Sequence, residues 1–185
     1  MKTMCNIPLP DAESLFDRLI DQIRTDSDNC SALIGIHTGG AWLAERLHHE
    51  LSATQSLEPL GLLSVSFYRD DFDKIGLHAQ VKPSEIPFNV NGAHILLVDD
   101  VLQTGRTIRA AINELFDYGR PASIKLATLV DRGDRELPIC AQYTGTELHL
   151  PEEKILVFNR DLQGRFSLSL ENKKGVVNGG ENLQA

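Results

Sequence analysis

Apolar residues at Leu15, Phe16, Leu19, Ile20 and Ile23 recur with helical spacing, and Asp11 just before them suits an N-cap, which predicts a first helix. The continuous apolar run 32–36 predicts a buried strand that leads into a glycine loop. Leu43, Leu47 and Leu51 then set one face of a second helix over 42–51. Runs at 60–67 and 93–98 predict two further strands. Ile108, Ala111, Ile112 and Leu115 mark the buried face of the next helix, which Gly119 and Pro121 end. Another strand follows over 123–130, and two short ones at 154–158 and 165–170 suggest a hairpin around Gln163-Gly164. Strands without polar alternation are covered on both faces, as in parallel sheets. The alternation of strand and helix therefore predicts an α/β fold, with a central, mostly parallel sheet flanked by helices.

Two stretches break the pattern. The segment 68–88 is polar and carries Gly76, Pro83 and Pro87, and a loop of that length is expected to be functional or disordered. The last stretch, 171–185, has few apolar residues and reads as a disordered tail, leaving one domain over 1–170. The chain's 185 residues, 42% of them hydrophobic, are enough for one packed core. Its net charge of −8 argues against general affinity for nucleic acid, although Arg106, Arg109, Arg120, Arg132 and Arg135 would allow a local basic patch. Cys5, Cys30 and Cys140 match neither a zinc nor a disulfide spacing and read as thiols of a reducing cytosol. With no basic-then-apolar leader and no run of membrane-spanning length, the expected location is cytoplasmic and no membrane is expected as a partner. Of the six histidines, only His37 falls in a loop suited to a ligand.

The chemistry concentrates in Ile95-Leu96-Leu97-Val98-Asp99-Asp100-Val101-Leu102-Gln103-Thr104-Gly105-Arg106-Thr107. A buried strand ends in two adjacent acids, and ligands of open parallel sheets bind beyond the carboxyl ends of strands. Neighbouring carboxylates repel unless a ligand or cation offsets the charge. Vicinal ribose hydroxyls suit them, because each can donate to one carboxylate. The loop that follows offers amides, the hydroxyls of Thr104 and Thr107, Gly105 for close approach, and a helix N-terminus, which favours phosphate. An acidic turn that merely caps a helix is the plainer reading of two Asp residues. The full string after a buried strand favours a sugar phosphate.

That string closely resembles the phosphoribosyl-pyrophosphate (PRPP) signature of type I phosphoribosyltransferases. With Phe67-Tyr68-Arg69-Asp70-Asp71, Ile86-Pro87-Phe88 and the run from Leu129 to Ile139 (LVDRGDRELPI), the resemblance narrows to the PyrR family, over about 8–160. It implies a single-domain type I phosphoribosyltransferase fold with a small hood (131–160) and a flexible arm (68–88). It implies that Asp99 and Asp100 hold the ribose hydroxyls, and that Val101, Gln103, Thr104, Gly105, Arg106 and Thr107 belong to the loop that cradles the 5′-phosphate. His37, Thr38, Gly39 and Gly40 would form the pyrophosphate loop. Arg69 and Lys82 would bring charge from the arm, with Arg69 joining the acid pair in catalysis, and Asp131 and Arg132 would begin the uracil-binding hood. The implied reaction makes UMP and pyrophosphate from uracil and PRPP. Mg²⁺ would arrive on PRPP rather than in a dedicated protein cage. The implied assembly is a homodimer or a higher homo-oligomer.

Four positions depart from the patterns of the wider family. Purine-salvage members carry an Asp where this chain has Gln103, which cannot take a proton, so purines are disfavoured. The pyrophosphate loop reads Thr38-Gly39-Gly40 where Thr-Arg-Gly is typical, which removes a cation. Pyrimidine-operon mRNA is the further partner that PyrR proteins regulate. RNA-binding members tend to have His where this chain has Asp134 and Arg where it has Cys140, and both changes subtract positive charge. Two other readings accompany uracil transfer: a nucleotide-sensing, RNA-binding attenuator with little catalysis, and a PRPP-dependent enzyme acting on another base.

Overall fold

The apolar run at 93–98 becomes the central strand, β3 (His94–Leu102), of a five-stranded parallel sheet. A computed structural model of the chain describes residues 7–26, 30–65 and 83–173. The other elements, in chain order, are α1 (Ala12–Thr25), β1 (Ala32–Ile36), α2 (Gly39–Ser52), β2 (Gly61–Leu63), α3 (Arg106–Tyr118), β4 (Ser123–Asp131), β5 (Tyr143–Glu147), β6 (Lys154–Arg160) and β7 (Phe166–Asn172). The sheet order is β2-β1-β3-β4-β5, and β6 and β7 pair as a separate antiparallel hairpin.

Both faces of the sheet are covered, which is why its central strands lack polar alternation. Leu33, Leu96, Val98 and Leu129 face α1 and α2, while Ile34, Ile95, Leu97 and Leu126 pack with α3. Helix α1 starts where the sequence predicts, with the Asp11 carboxylate accepting from the Ser14 amide at 2.9 Å. It buries Leu15, Phe16, Leu19, Ile20 and Ile23, each adding at most about 1.5–3 kcal/mol of hydrophobic stabilisation. The late hairpin docks on this helix through Phe166, whose ring centroid lies 5.8 Å from Phe16 and 4.9 Å from Phe158. Glu13 fixes the contact, accepting from the Phe166 amide at 2.7 Å and from Arg46 at 2.6 Å.

Several boundaries differ from the sequence expectation. Helix α2 begins at Gly39 rather than at 42, so the glycine loop forms its N-terminus. Strand β3 continues through the acid pair to Leu102, because β4 keeps hydrogen-bonding beside it as far as Asp131. The stretch 131–160, expected as one hood, divides between β5 in the main sheet and β6 in the hairpin. Strand β5 itself went unpredicted: Tyr143-Thr144-Gly145-Thr146-Glu147 is polar, as an edge strand can be. There α1 packs so closely that a Cβ on Gly145 would lie 3.0 Å from the Leu15 carbonyl oxygen. Strand β7 runs to Asn172, two residues into the expected tail. Residues 68–82 of the expected arm, including Arg69, His78 and Lys82, lie outside the described residues, as do Cys5 and 174–185. The arm's C-terminal end is anchored, since Glu85 exchanges backbone hydrogen bonds of 2.7 and 2.8 Å with Leu62. No helix among the described residues is long and apolar enough to cross a membrane.

Candidate active site

Parallel pairing sets the carboxyl ends of β1, β3 and β4 side by side. Gly35 pairs with Val98, Asp99 with Thr128, and Leu102 with Asp131. The three strands therefore deliver the His37–Gly40 loop, the acid pair and the start of the expected hood to one edge of the sheet. Asp99 is 6% exposed and its Oδ1 accepts from the Asp100 amide at 3.0 Å. Asp100 is half-buried.

The glycines explain how the loops come so close. A Cβ on Gly40 would lie 2.5 Å from the Val98 carbonyl oxygen and 2.8 Å from the Asp99 Cα. A Cβ on Gly39 would lie 2.3 Å from Asp100 Oδ2. Helix α2 thus seats its first turn directly on the acid pair. The His37–Thr38 peptide is cis, and the His37 amide donates to the Leu63 carbonyl of β2 at 2.8 Å. Thr38 is exposed at the N-cap position.

The two helices that begin here differ from α1 at their N-termini. Helix α1 has a carboxylate cap and Glu13 in its first turn. Neither α2 nor α3 has a side-chain cap from its N-cap residue, and neither has an acid in its first turn. Their amide ends carry partial positive charge that an anion can satisfy. At α3, Gly105 takes the left-handed conformation (φ 90°) that turns the chain from strand into helix. The Thr104 hydroxyl accepts from the Arg106 amide at 3.2 Å. Arg106 and Thr107, expected in the loop, lie in the first helical turn. The Arg106 side chain is exposed and pairs with Glu136 at 2.6 Å.

From the sequence, Arg135 is a candidate only for a basic patch. The structure makes it the brace of the site. Its Nη1 donates to the carbonyls of Gly133 at 2.6 Å and Gln103 at 2.7 Å, its Nε donates to Ile139 at 2.8 Å, and its Nη2 pairs with Asp131. One planar fork thereby ties the PRPP-type loop to the segment after β4. Asp131 is equally engaged, its other oxygen accepting from the Gly133 amide at 2.8 Å. Glu136 and Leu137 amides add bonds to the Thr104 carbonyl at 3.1 and 3.2 Å. The signal for this was the arginine's position four residues after an acid at a strand end, but nothing in the sequence says which carbonyls it meets.

Arg132 is only 2% exposed. Its Nη1 donates to Gln103 Oε1 at 3.2 Å, and its Nε and Nη2 have no partner among the described residues. Burial pushes its pKa down, opposed by nearby Asp134. The arginines expected as a basic patch are mostly engaged: Arg132 is buried, Arg135 and Arg106 are paired, and Arg120 bonds the Phe116 carbonyl at 2.6 Å. Arg109 is exposed. No group of three or more His, Cys, Asp or Glu among the described residues is arranged to hold a metal.

Comparison with known proteins gives the chain's relatives and the likeness of its fold. The model of the phosphoribosyl transferase domain matches residues 9–155. The chain is 54% identical over 151 residues to the bifunctional protein PyrR of Nitrosococcus oceani, covering 81% of this chain and 82% of that one. It is 49% identical over 170 residues to the bifunctional protein PyrR of Ralstonia nicotianae, covering 88% and 95%. Among solved structures, the hypoxanthine phosphoribosyltransferase of Trypanosoma cruzi superimposes with a TM-score of 0.58 at 21% identity, covering 76% of this chain and 81% of that one, a likeness of fold.

Proposed function

We infer the activity from family membership together with the site, for this chain belongs to the phosphoribosyltransferases and, within them, to the PyrR family. The reading is a uracil phosphoribosyltransferase that transfers the ribose-5-phosphate of PRPP to N1 of uracil, giving UMP and releasing pyrophosphate. The observation that carries it is the convergence of the Asp99–Asp100 pair with two helix N-termini whose N-cap residues give no side-chain cap and whose first turns carry no acid.

In this reading Asp99 and Asp100 accept from the ribose 2′- and 3′-hydroxyls. The first turn of α3, with Thr104, Gly105 and Thr107, takes the 5′-phosphate. His37 to Gly40 and the N-terminus of α2 receive the pyrophosphate, by backbone amides and Thr38 rather than by a side-chain cation. As the bond to pyrophosphate breaks, positive charge grows at the ribose ring carbon, and the adjacent carboxylates favour it. Arg69 of the arm supplies further charge to the leaving group. Two adjacent carboxylates fit a Mg²⁺ ion that is held mainly by PRPP oxygens, since that ion commonly takes one or two carboxylates and completes its shell with phosphate and water. When bound, the ion neutralises charge on the leaving pyrophosphate.

The test is to incubate the protein with PRPP, Mg²⁺ and each nucleobase in turn and to measure pyrophosphate release. Turnover with uracil that disappears in Asp99→Asn/Asp100→Asn is the expected result. Absence of turnover with every base would overturn the enzyme reading. The PyrR name of the relatives also brings a pyrimidine-gene regulator into the proposal, with operon mRNA as partner. The burial of Arg132 and the pairing of Arg106 and Arg135 weigh against that half, and a gel-shift with leader RNA and UMP decides it. The homo-oligomer belongs to the same reading and is checked by light scattering.

A further inference from the structure

Strand β4 carries one basic charge inside its apolar run, Lys125, in register with Leu96 of β3. Its ammonium lies 2.9 Å from the carboxylate of Asp26, just beyond α1, and 3.2 Å from the Tyr143 hydroxyl, which itself donates to Asp26. An ion pair taken partly out of water adds little to stability, so the fold alone gives no reason for this cluster. It borders a cavity of about 340 Å³, inside the range of roughly 300–1,000 Å³ typical of small-molecule sites. His94, Ser123 and Tyr143, the first residues of β3, β4 and β5, line the same cavity. Because these strands are parallel, it sits at the opposite end of the sheet from Asp99 and Asp100. From His94 to Asp99 extended β3 spans roughly 16 Å, at about 3.3 Å per residue, so a molecule seated here is clear of the proposed ribose site.

Ile23, Ile95 and Leu96 supply the apolar part of the lining. Asp26 offsets the charge of Lys125, which favours a neutral molecule over a phosphate ester. Gln55, also in the lining, has no hydrogen-bond partner for its side-chain amide among the described residues. His94 engages the Ser123 hydroxyl through Nδ1 at 2.8 Å, and its Nε2 has no partner among those residues. A primary amide offers a donor and an acceptor side by side. Its complement is a flat edge with an adjacent acceptor and donor, which nucleobases present and which glutamine can meet with two hydrogen bonds. We propose that this cavity is a second small-molecule site, which takes a neutral nucleobase or nucleoside through an edge-on pair with Gln55, beside the Asp26–Lys125–Tyr143 cluster. The site is independent of the reading of the acid pair.

Cys30 supplies the readout, because it lines the cavity, with its thiol donating to the Ala32 carbonyl at 3.4 Å. The full chain is prepared with Cys5→Ser and Cys140→Ser, and labelling of Cys30 by N-ethylmaleimide is timed by mass spectrometry with adenine, uracil, adenosine, uridine or UMP present. At ten times its Kd, a bound base or nucleoside is expected to slow labelling about tenfold by mass action. The free bases and the nucleosides tell which of the two is held, and UMP, which adds charge, should bind the cavity less tightly than uridine. Gln55→Leu and Gln55→Glu should each weaken binding about tenfold, the second by losing only the donor. Calorimetry with the same compounds gives the affinity without relying on the thiol, and only binding that is lost in the Gln55 variants counts for this cavity. Protection should persist in Asp99→Asn/Asp100→Asn, and PRPP alone should give none. Absence of protection and of Gln55-dependent heat with all four neutral compounds would overturn the proposal. Binding of equal strength in both Gln55 variants would do the same. Protection that disappears with the acid pair would put the ligand at the first site and overturn this inference, while leaving the transferase reading untouched.

Discussion

A Cβ on Gly39 would stand 2.3 Å from Oδ2 of Asp100, so the backbone of one loop occupies the contact surface of the other loop's carboxylate. No side chain fits there unless Asp100 moves, which gives the glycine at this position a steric reason in this chain. Gly39→Ala is therefore expected to displace Asp100 and raise the KM for PRPP about tenfold or more, with the fold retained by circular dichroism. Steady-state kinetics at varied PRPP check it, and an unchanged KM would show that the two loops yield easily.

Arg135 makes its bonds with backbone carbonyls from both sides of the site. Arg135→Met removes them while keeping much of the aliphatic stem. The expected loss is about 1–3 kcal/mol, since partly buried carbonyls and Asp131 lose a charged donor. Urea unfolding measures it, and a loss below about 0.5 kcal/mol would mean that Arg135 is a surface ornament rather than a brace.

A second polar cluster lies at the opposite end of the sheet, away from the acid pair. Asp26, Lys125 and Tyr143 bond one another beside a cavity of about 340 Å³. Burial, then the hydrogen bond to Asp26, raises the Tyr143 pKa above the ordinary value of about 10. The folded chain therefore keeps a proton that the unfolded chain loses as pH climbs through that ordinary value. The contribution is fully present below it and is lost between the unfolded and folded values. Thermal stability should fall above about pH 10, and Tyr143→Phe should flatten that part of the fall.

Thr128 pairs directly across from Asp99, is fully buried, and its hydroxyl has no partner among the described residues. Valine has the same shape without the hydroxyl. Thr128→Val is expected to leave stability unchanged or raise it by about 1 kcal/mol. A clear loss in urea unfolding would reveal a hydrogen bond made by that hydroxyl.

Much of this protein was legible in the chain. The apolar runs located β1, β3 and β4 because residues covered on both faces leave no polar alternation to obscure them. Helix α1 and its Asp11 cap were legible because spacing and capping are local. The acid pair and the loop to Thr107 were legible for the same reason: a strand, two carboxylates and a helix start occupy contiguous residues. Strand β5 was not, since its place beside β4 comes from packing against α1 and not from its own polar sequence.

Tertiary structure decided which separated residues meet. Parallel register, a relation between strands distant in sequence, set Asp131 beside Leu102 and so brought Arg132 and Arg135 to Gln103. The sequence could show that Gln103 cannot act as a base. Which way its amide faces depended on a donor 29 residues away, because hydrogen-bond direction is fixed by the partner and not by the residue itself.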